Sequence, residues 1–233
     1  METNILPSVT FEKAYNLLST SYLSDGEEAE VYYTDFIKKN TTIGEGTHVA
    51  SLKDGIDANK FYNNKKKDST DDTTPKAVTN YNSTMTELNY NDKAEYTVKV
   101  DKEGLYYLNL DYISIGESLS DYTVKLTVKQ QYSEMNTIAL PIIWADEDTK
   151  TYVGSDKKKS FPLDSYGDEI APSQNRVQEW TNTYLYNNTY VSSSPLSFYL
   201  KKGVNKIKIE NVSSGGLAVG KLQVEAGKNN TKS

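Results

Sequence analysis

Residues 94–115, AEYTVKVDKEGLYYLNLDYISI, decide the fold class. In the first half Tyr96, Val98 and Val100 share one parity, with Glu95, Thr97 and Lys99 on the other. DKEG follows, with a glycine where a chain reverses. The second half then sets Tyr106, Leu108, Leu110 and Tyr112 on one face. A period of two on both sides of a short turn predicts two antiparallel strands, apolar on one face and wet on the other.

Outward from this hairpin the same period recurs. YTVKLTVKQ, 122–130, places Val124, Leu126 and Val128 inward and Lys125, Thr127 and Lys129 outward. TIALPIIW (137–144), PLSFYL (195–200), VNKIKIENV (204–212) and LAVGKLQVEAG (217–227) are further strands, separated by KKG and SSGG turns. EAEVYYTDFI, 28–37, is expected as a strand, and HVASL, 48–52, as a short one. Many short strands without alternating helices predict an all-β antiparallel sandwich.

Two parts depart from that rhythm. In SVTFEKAYNLLSTSY, 8–22, Phe11, Tyr15, Leu18 and Tyr22 recur at helical steps, with Ser8 or Thr10 as cap and Gly26 just beyond. One short amphipathic N-terminal helix is expected there. Residues 63–83 are polar and aperiodic, so a long loop is expected, and 145–180 are polar and irregular. The expected organisation is a helical N-terminal segment over 1–26, a sandwich over 27–227 and a disordered tail over 228–233.

The 233 residues carry 26 Lys and Arg against 32 Asp and Glu, a net charge of −6. That balance disfavours nucleic acid and anionic membrane surfaces as partners. No apolar run approaches the roughly 18 residues of a membrane helix. The chain has no cysteine and one histidine, His48, at a turn. Thiolate chemistry is thereby excluded, a zinc cluster lacks its ligands, and with no G-x-S-x-G elbow nucleophilic catalysis is disfavoured. No carboxylate pair stands out for glycoside hydrolysis, and a non-catalytic module is expected.

Candidate chemistry gathers in LDSYGDEIAPSQNRVQEW, 163–180. Asp164, Asp168 and Glu169 lie within six positions, and Arg176 is the only arginine of the chain. Arginine pairs bidentately with carboxylates, so a clamp on Asp164 or Asp168 is expected to close this loop. The same acids are oxygen donors for a structural calcium ion, and Glu28 with Glu30 on one strand face are a second candidate metal pair. Trp144 and Trp180 flank the irregular region. Indole faces stack on sugars and equally anchor loops to a core, and both readings stand. Tyr166, Tyr184, Tyr186 and Tyr190 are further platforms. The candidate ligand-binding set is Trp144, Asp164, Tyr166, Asp168, Glu169, Gln174, Arg176 and Trp180. The KKK runs at 65–67 and 157–159 read as solubilising.

EYTVKV, its glycine turn and GLYYLNLDY resemble the galactose-binding-like, jelly-roll β-sandwich of many carbohydrate-binding modules. LSFYLKKGVNKIKIENV and LAVGKLQVEA resemble that fold's later strands. Over most of its length the chain resembles the N-terminal domain of large extracellular solute-binding lipoproteins of Gram-positive ABC importers. There FEKAY, 11–15, resembles the opening helix, and DSYGDEIAPSQ, 164–174, resembles a D-x-x-G-N-[DE]-x-x-P-x-Q loop. Asp168 stands where that pattern has Asn, and Ile142 or Ile143 where an Arg often precedes the Trp144 position. The resemblance implies a surface-anchored extracellular parent with a leader and further domains outside this sequence. The likeness to carbohydrate-binding modules makes an oligo- or polysaccharide ligand the expectation, with a structural or protein-interaction role as the alternative.

Overall fold

The computed structural model describes residues 30–69, 72–129, 131–146, 151–153, 158–187 and 194–228, with backbone alone at 151–153 and 158–160. The expected helix over 8–22, Glu28, Tyr190 and the tail beyond Lys228 lie outside the described residues.

Helix α1 spans Tyr33–Lys39 and α2 Ala58–Asp68. The early strands are β1 Thr47–Val49, β2 Ser51–Leu52, β3 Ile56–Asp57 and β4 Thr84–Leu88. The long hairpin is β5 Lys93–Val100 and β6 Gly104–Ser114, followed by β7 Tyr122–Thr127 and β8 Ile138–Leu140. Next come β9 Ile143–Asp146, β10 Thr151–Val153, β11 Lys158–Ser160, β12 Gln174–Val177, β13 Thr181–Tyr184 and β14 Tyr186–Asn187. The chain closes with β15 Ser197–Leu200, β16 Gly203–Asn211 and β17 Leu217–Ala226.

The strands form an antiparallel β-sandwich, as the alternating pattern predicts. A seven-stranded sheet runs β13-β6-β17-β4-β3, with β15 also on β6 and β1 also on β17. A six-stranded sheet runs β14-β8-β7-β16-β5-β2. Two ribbons, β9 with β12 and β10 with β11, stand apart. The core is the apolar parity of both sheets: Tyr106, Leu108, Leu110, Leu222 and Val224 meet Tyr96, Val98, Val124, Leu126, Ile207 and Ile209.

Tyrosines fill this core because their hydroxyls find backbone partners across it. Tyr96 donates to the Gly220 carbonyl (2.7 Å), Tyr112 to Pro141 (2.6 Å) and Tyr132 to Ser197 (2.9 Å). Tyr122 reaches Ser114 Oγ (2.6 Å) and the Gly216 carbonyl (2.9 Å). Each ring supplies apolar area while its hydroxyl finds a partner across the core, so these buried hydroxyls are satisfied.

Three expectations are corrected. Within the expected strand 28–37, the described residues 30–37 are not a strand. Tyr33, Phe36 and Ile37 follow helical spacing, and Asp35 in the first turn with Lys38 and Lys39 in the last complement the helix dipole. Phe36 packs on the Tyr132 ring at 4.9 Å. Residues 63–83 are not all loop. Helix α2 is capped by Asp57, whose side chain accepts the Lys60 N–H (2.9 Å), and Lys76–Thr79 form a 3-10 turn. The apolar anchors Ala58 and Phe61 lie just before the polar run and were outside the window read. Finally, β6 is not wet on one face. Helix α2 and the 3-10 turn cover the outer face of the seven-stranded sheet, where Ala58, Phe61 and Val78 pack on Met85, Ile113 and Ala218. Among the described residues no helix is long and apolar enough to cross a membrane.

Candidate functional site

The structure divides the expected site residues among three places. The first is the β9–β12 ribbon, inside the stretch expected to be irregular. Its register opposes Trp144 to Arg176 and Asp146 to Gln174. Directly opposed residues, and residues two apart, share a face. Trp144, Asp146, Gln174 and Arg176 are therefore on one face. The Trp144 residue is 42% exposed, and Gln174 Nε2 donates to Asp146 Oδ1 (3.3 Å) beside it.

Arg176 does not clamp Asp164 or Asp168. Its guanidinium fastens the ribbon to the loop after β6, donating Nη1 to the Ser118 carbonyl (2.9 Å) and Nη2 to Ser114 Oγ and the Gly116 carbonyl. Its Nε is buried with no hydrogen-bond partner. The cationic fork finds carbonyls because the loop at 114–118 presents three oxygens at once, whereas the acids of the 164–169 turn are engaged locally.

That turn is the second place. Asp164 Oδ1 accepts the backbone N–H groups of Tyr166 (2.8 Å) and Asp168 (3.0 Å). Asp164 N donates to the Asp168 carbonyl (2.8 Å), Gly167 N to Asp164 (3.2 Å) and Ile170 N to Pro162 (2.8 Å). Gly167 supplies the left-handed φ of +89° that the reversal needs. The N–H groups of Asp168 and then Tyr166 hold the Asp164 carboxyl below the ordinary range. Tyr166 projects free, 91% exposed, and Asp168 and Glu169 are exposed.

The oxygens do not fit a calcium cage. Among the described residues no three His, Asp or Glu side chains come together as a metal site. Glu30 sits in irregular backbone ahead of α1 and accepts the Tyr32 hydroxyl (3.1 Å), while Glu28, its expected partner, lies outside the described residues.

Trp180 is the third place. Its ring stacks on Tyr81 with centroids 3.8 Å apart and planes at 16°, and Nε1 donates to the Val78 carbonyl (3.0 Å). Tyr81 in turn donates to Asp111 Oδ2 (2.8 Å) and accepts the Lys221 N–H (2.6 Å). Burial pushes the Tyr81 hydroxyl well above the usual tyrosine range, so it stays a donor. A Cβ on Gly220 would lie 2.2 Å from that hydroxyl, which is why glycine stands there. Trp180 is a structural anchor for the covering helix.

The sequence reading missed a polar patch on the outer face of the seven-stranded sheet. Tyr184 and Gln223 flank Asn109, Asn182 opposes Asp111, and Glu225 opposes Tyr107. Tyr184 donates to Glu225 Oε2 (2.7 Å), and Asn182 Nδ2 donates to Asp111 Oδ1 (2.7 Å) and to Asn109. Glu225 pushes the Tyr184 hydroxyl up. The signal was present in Asn109 and Asp111, two polar residues inside an otherwise apolar strand.

No protein-family profile matches the chain, and no curated protein sequence matches it. Solved structures do. One is a family 35 carbohydrate binding module from Clostridium thermocellum, at 12% identity and a TM-score of 0.35, covering 77% of this chain and 98% of that one. A second is the Podospora anserina GH26-CBM35 beta-(1,4)-mannanase, at 12% identity and 0.28, covering 59% of this chain and 20% of that one. A third is an Arthrobacter globiformis isomalto-dextranase complexed with panose, at 11% identity and 0.28, covering 57% and 16%.

The ribbon face sets an exposed indole beside a carboxylate and an amide in strand register, whereas the still more exposed Tyr166 projects from a turn. An indole face with a carboxylate and an amide beside it offers stacking and directional bonds together.

Proposed function

We propose that this domain is a non-catalytic extracellular glycan-binding module that reads a sugar on the β9–β12 ribbon. The observation that carries the reading is Trp144, exposed on the ribbon face that also holds Asp146 and Gln174. Trp144 stacks on a sugar ring, Asp146 and Gln174 bond its hydroxyls, and Arg176, opposite Trp144 in the ribbon, fastens it to the 114–118 loop. The resemblance of the sequence to N-terminal domains of solute-binding lipoproteins supports a setting on a Gram-positive cell surface, beside an importer, within a longer parent chain.

A glycan-array screen with and without calcium, followed by calorimetry on each hit, tests this. A neutral glycan that binds saturably and loses about tenfold or more in affinity on Trp144→Ala, with the fold intact, supports the reading. A blank across plant, microbial and host glycans overturns it and leaves the structural or protein-docking role, which the self-closed 162–170 turn favours.

A further inference from the structure

A groove of about 420 Å³ opens where the end of α1 meets the β15–β16 turn and the chain after β7. That volume is in the range of small-molecule sites, roughly 300–1,000 Å³. Phe36 and Val128 form an apolar floor, and the Tyr199 ring and the exposed side chain of Val204 flank it.

The amides of the groove are committed to the protein. Gln131 holds the edge of β15 as a strand would, donating Nε2 to the Tyr199 carbonyl (2.7 Å) and accepting the Tyr199 N–H (2.8 Å). Asn205 ties the turn, donating Nδ2 to the Lys201 (2.8 Å) and Gly203 (3.1 Å) carbonyls and accepting the Lys201 N–H (3.2 Å). Asn40 Nδ2 closes α1 on the Phe36 carbonyl (2.9 Å). These bonds fix the walls.

Lys129, Lys201 and Lys206 also line the groove, and no Asp or Glu does. Elsewhere on the six-stranded sheet lysines find acids: Lys53 and Lys208 pair with Glu95 (3.4 and 3.6 Å), and Lys93 with Glu210 (3.6 Å). Lys206 is one step along β16 from Lys208, yet neither it, Lys129 nor Lys201 has an ion pair among the described residues. Glu103 contacts the Tyr199 hydroxyl, and desolvation together with that carboxylate pushes the hydroxyl up, so Tyr199 remains neutral. In a chain of net charge −6, three unpaired cations around a rigid apolar floor are complementary to an anion with an apolar face.

We propose that this groove is a second binding site, for an anionic glycan whose ring lies on the floor and whose carboxylate or phosphate meets Lys129, Lys201 and Lys206. The sugar class rests on the glycan-binding reading above, while the charge rests on the groove itself.

The test is calorimetry of the purified domain with an oligogalacturonate, a glycerol-phosphate oligomer, a neutral galactose oligomer and poly-glutamate. One or both of the first two are expected to bind, more weakly as salt rises from 50 to 500 mM. Whichever binds identifies the charged group as carboxylate or phosphate. The variant K129Q/K201Q/K206Q is expected to lose about tenfold, the combined effect of three exposed ion pairs. K201Q/K206Q leaves the left-handed backbone at Lys129 (φ 76°) untouched and is expected to lose most of that. Trp144→Ala keeps this binding, which separates the groove from the ribbon. Acidic oligomers that bind no better than the neutral one, or variants that bind unchanged, overturn the proposal. Equal binding of poly-glutamate overturns the sugar class and makes the groove an acidic-peptide site.

Discussion

The two tryptophans stand in regions built on opposite principles. Trp180 lies under the cover of the seven-stranded sheet, stacked on Tyr81 and bonded to the Val78 carbonyl. Trp144 rises from a two-stranded ribbon that joins neither main sheet and is partly exposed. In the first region every polar atom that approaches the ring is already used: Tyr81 engages Asp111 and Lys221, and Asp111 engages Asn182. In the second, Arg176 fastens the ribbon to the 114–118 loop while the indole opposite it stays partly exposed. An indole surrounded by satisfied partners works for stability, and one held rigid but uncovered is available to a ligand.

Four measurements break or sharpen that contrast. The largest effect is expected for Trp180→Ala, which removes the stack and the Nε1 bond and leaves a gap under α2. Urea unfolding should show a loss of about 3 kcal/mol, with no selective loss of ligand binding. Arg176→Met comes next. It strands the Gly116 and Ser118 carbonyls and detaches the ribbon, at about 2 kcal/mol in the same assay. Arg176→Lys should recover only part, because an ammonium lacks the planar fork that reaches three acceptors. Trp144→Ala should change stability by less than about 0.5 kcal/mol while abolishing glycan binding. In single-tryptophan variants, acrylamide should quench Trp144 strongly and Trp180 weakly; equal quenching would erase the distinction.

The smallest effect concerns the Asp164 turn. Its folded-state carboxyl is held below the ordinary value. Its contribution is therefore present above the unfolded value, about 3.9, and is lost as pH falls through the lowered folded value. The amide resonances of Tyr166 and Asp168 should shift together on acidification below that range. Asp164→Asn should flatten the response, and a turn that reports no titration would break this account.

How much was legible can be followed residue by residue. Tyr96, Val98, Val100, Val124 and Leu126 are buried as their alternation predicts, because a sandwich strand repeats every two residues whatever its neighbours. Around α1 the β-prone run Val31-Tyr32-Tyr33 reads as a strand, whereas the contact of Phe36 with Tyr132, almost a hundred residues on, favours the helical spacing. Among the site residues, the pairing of Trp144 with Arg176 depends on a ribbon whose strands are about thirty positions apart. The sequence neighbours Arg176 and Asp164 turned out to have separate partners.

The sequence by itself determined the sandwich, its turns and most of its core, since alternation and glycine placement are local properties of the chain. Tertiary structure alone decided which face of β6 is covered, which tryptophan is fastened, where the single arginine is anchored and which lysines are left without acids. Those outcomes depend on which distant strand supplies the opposing group, and in an antiparallel sheet a shift of one residue in register would reverse them.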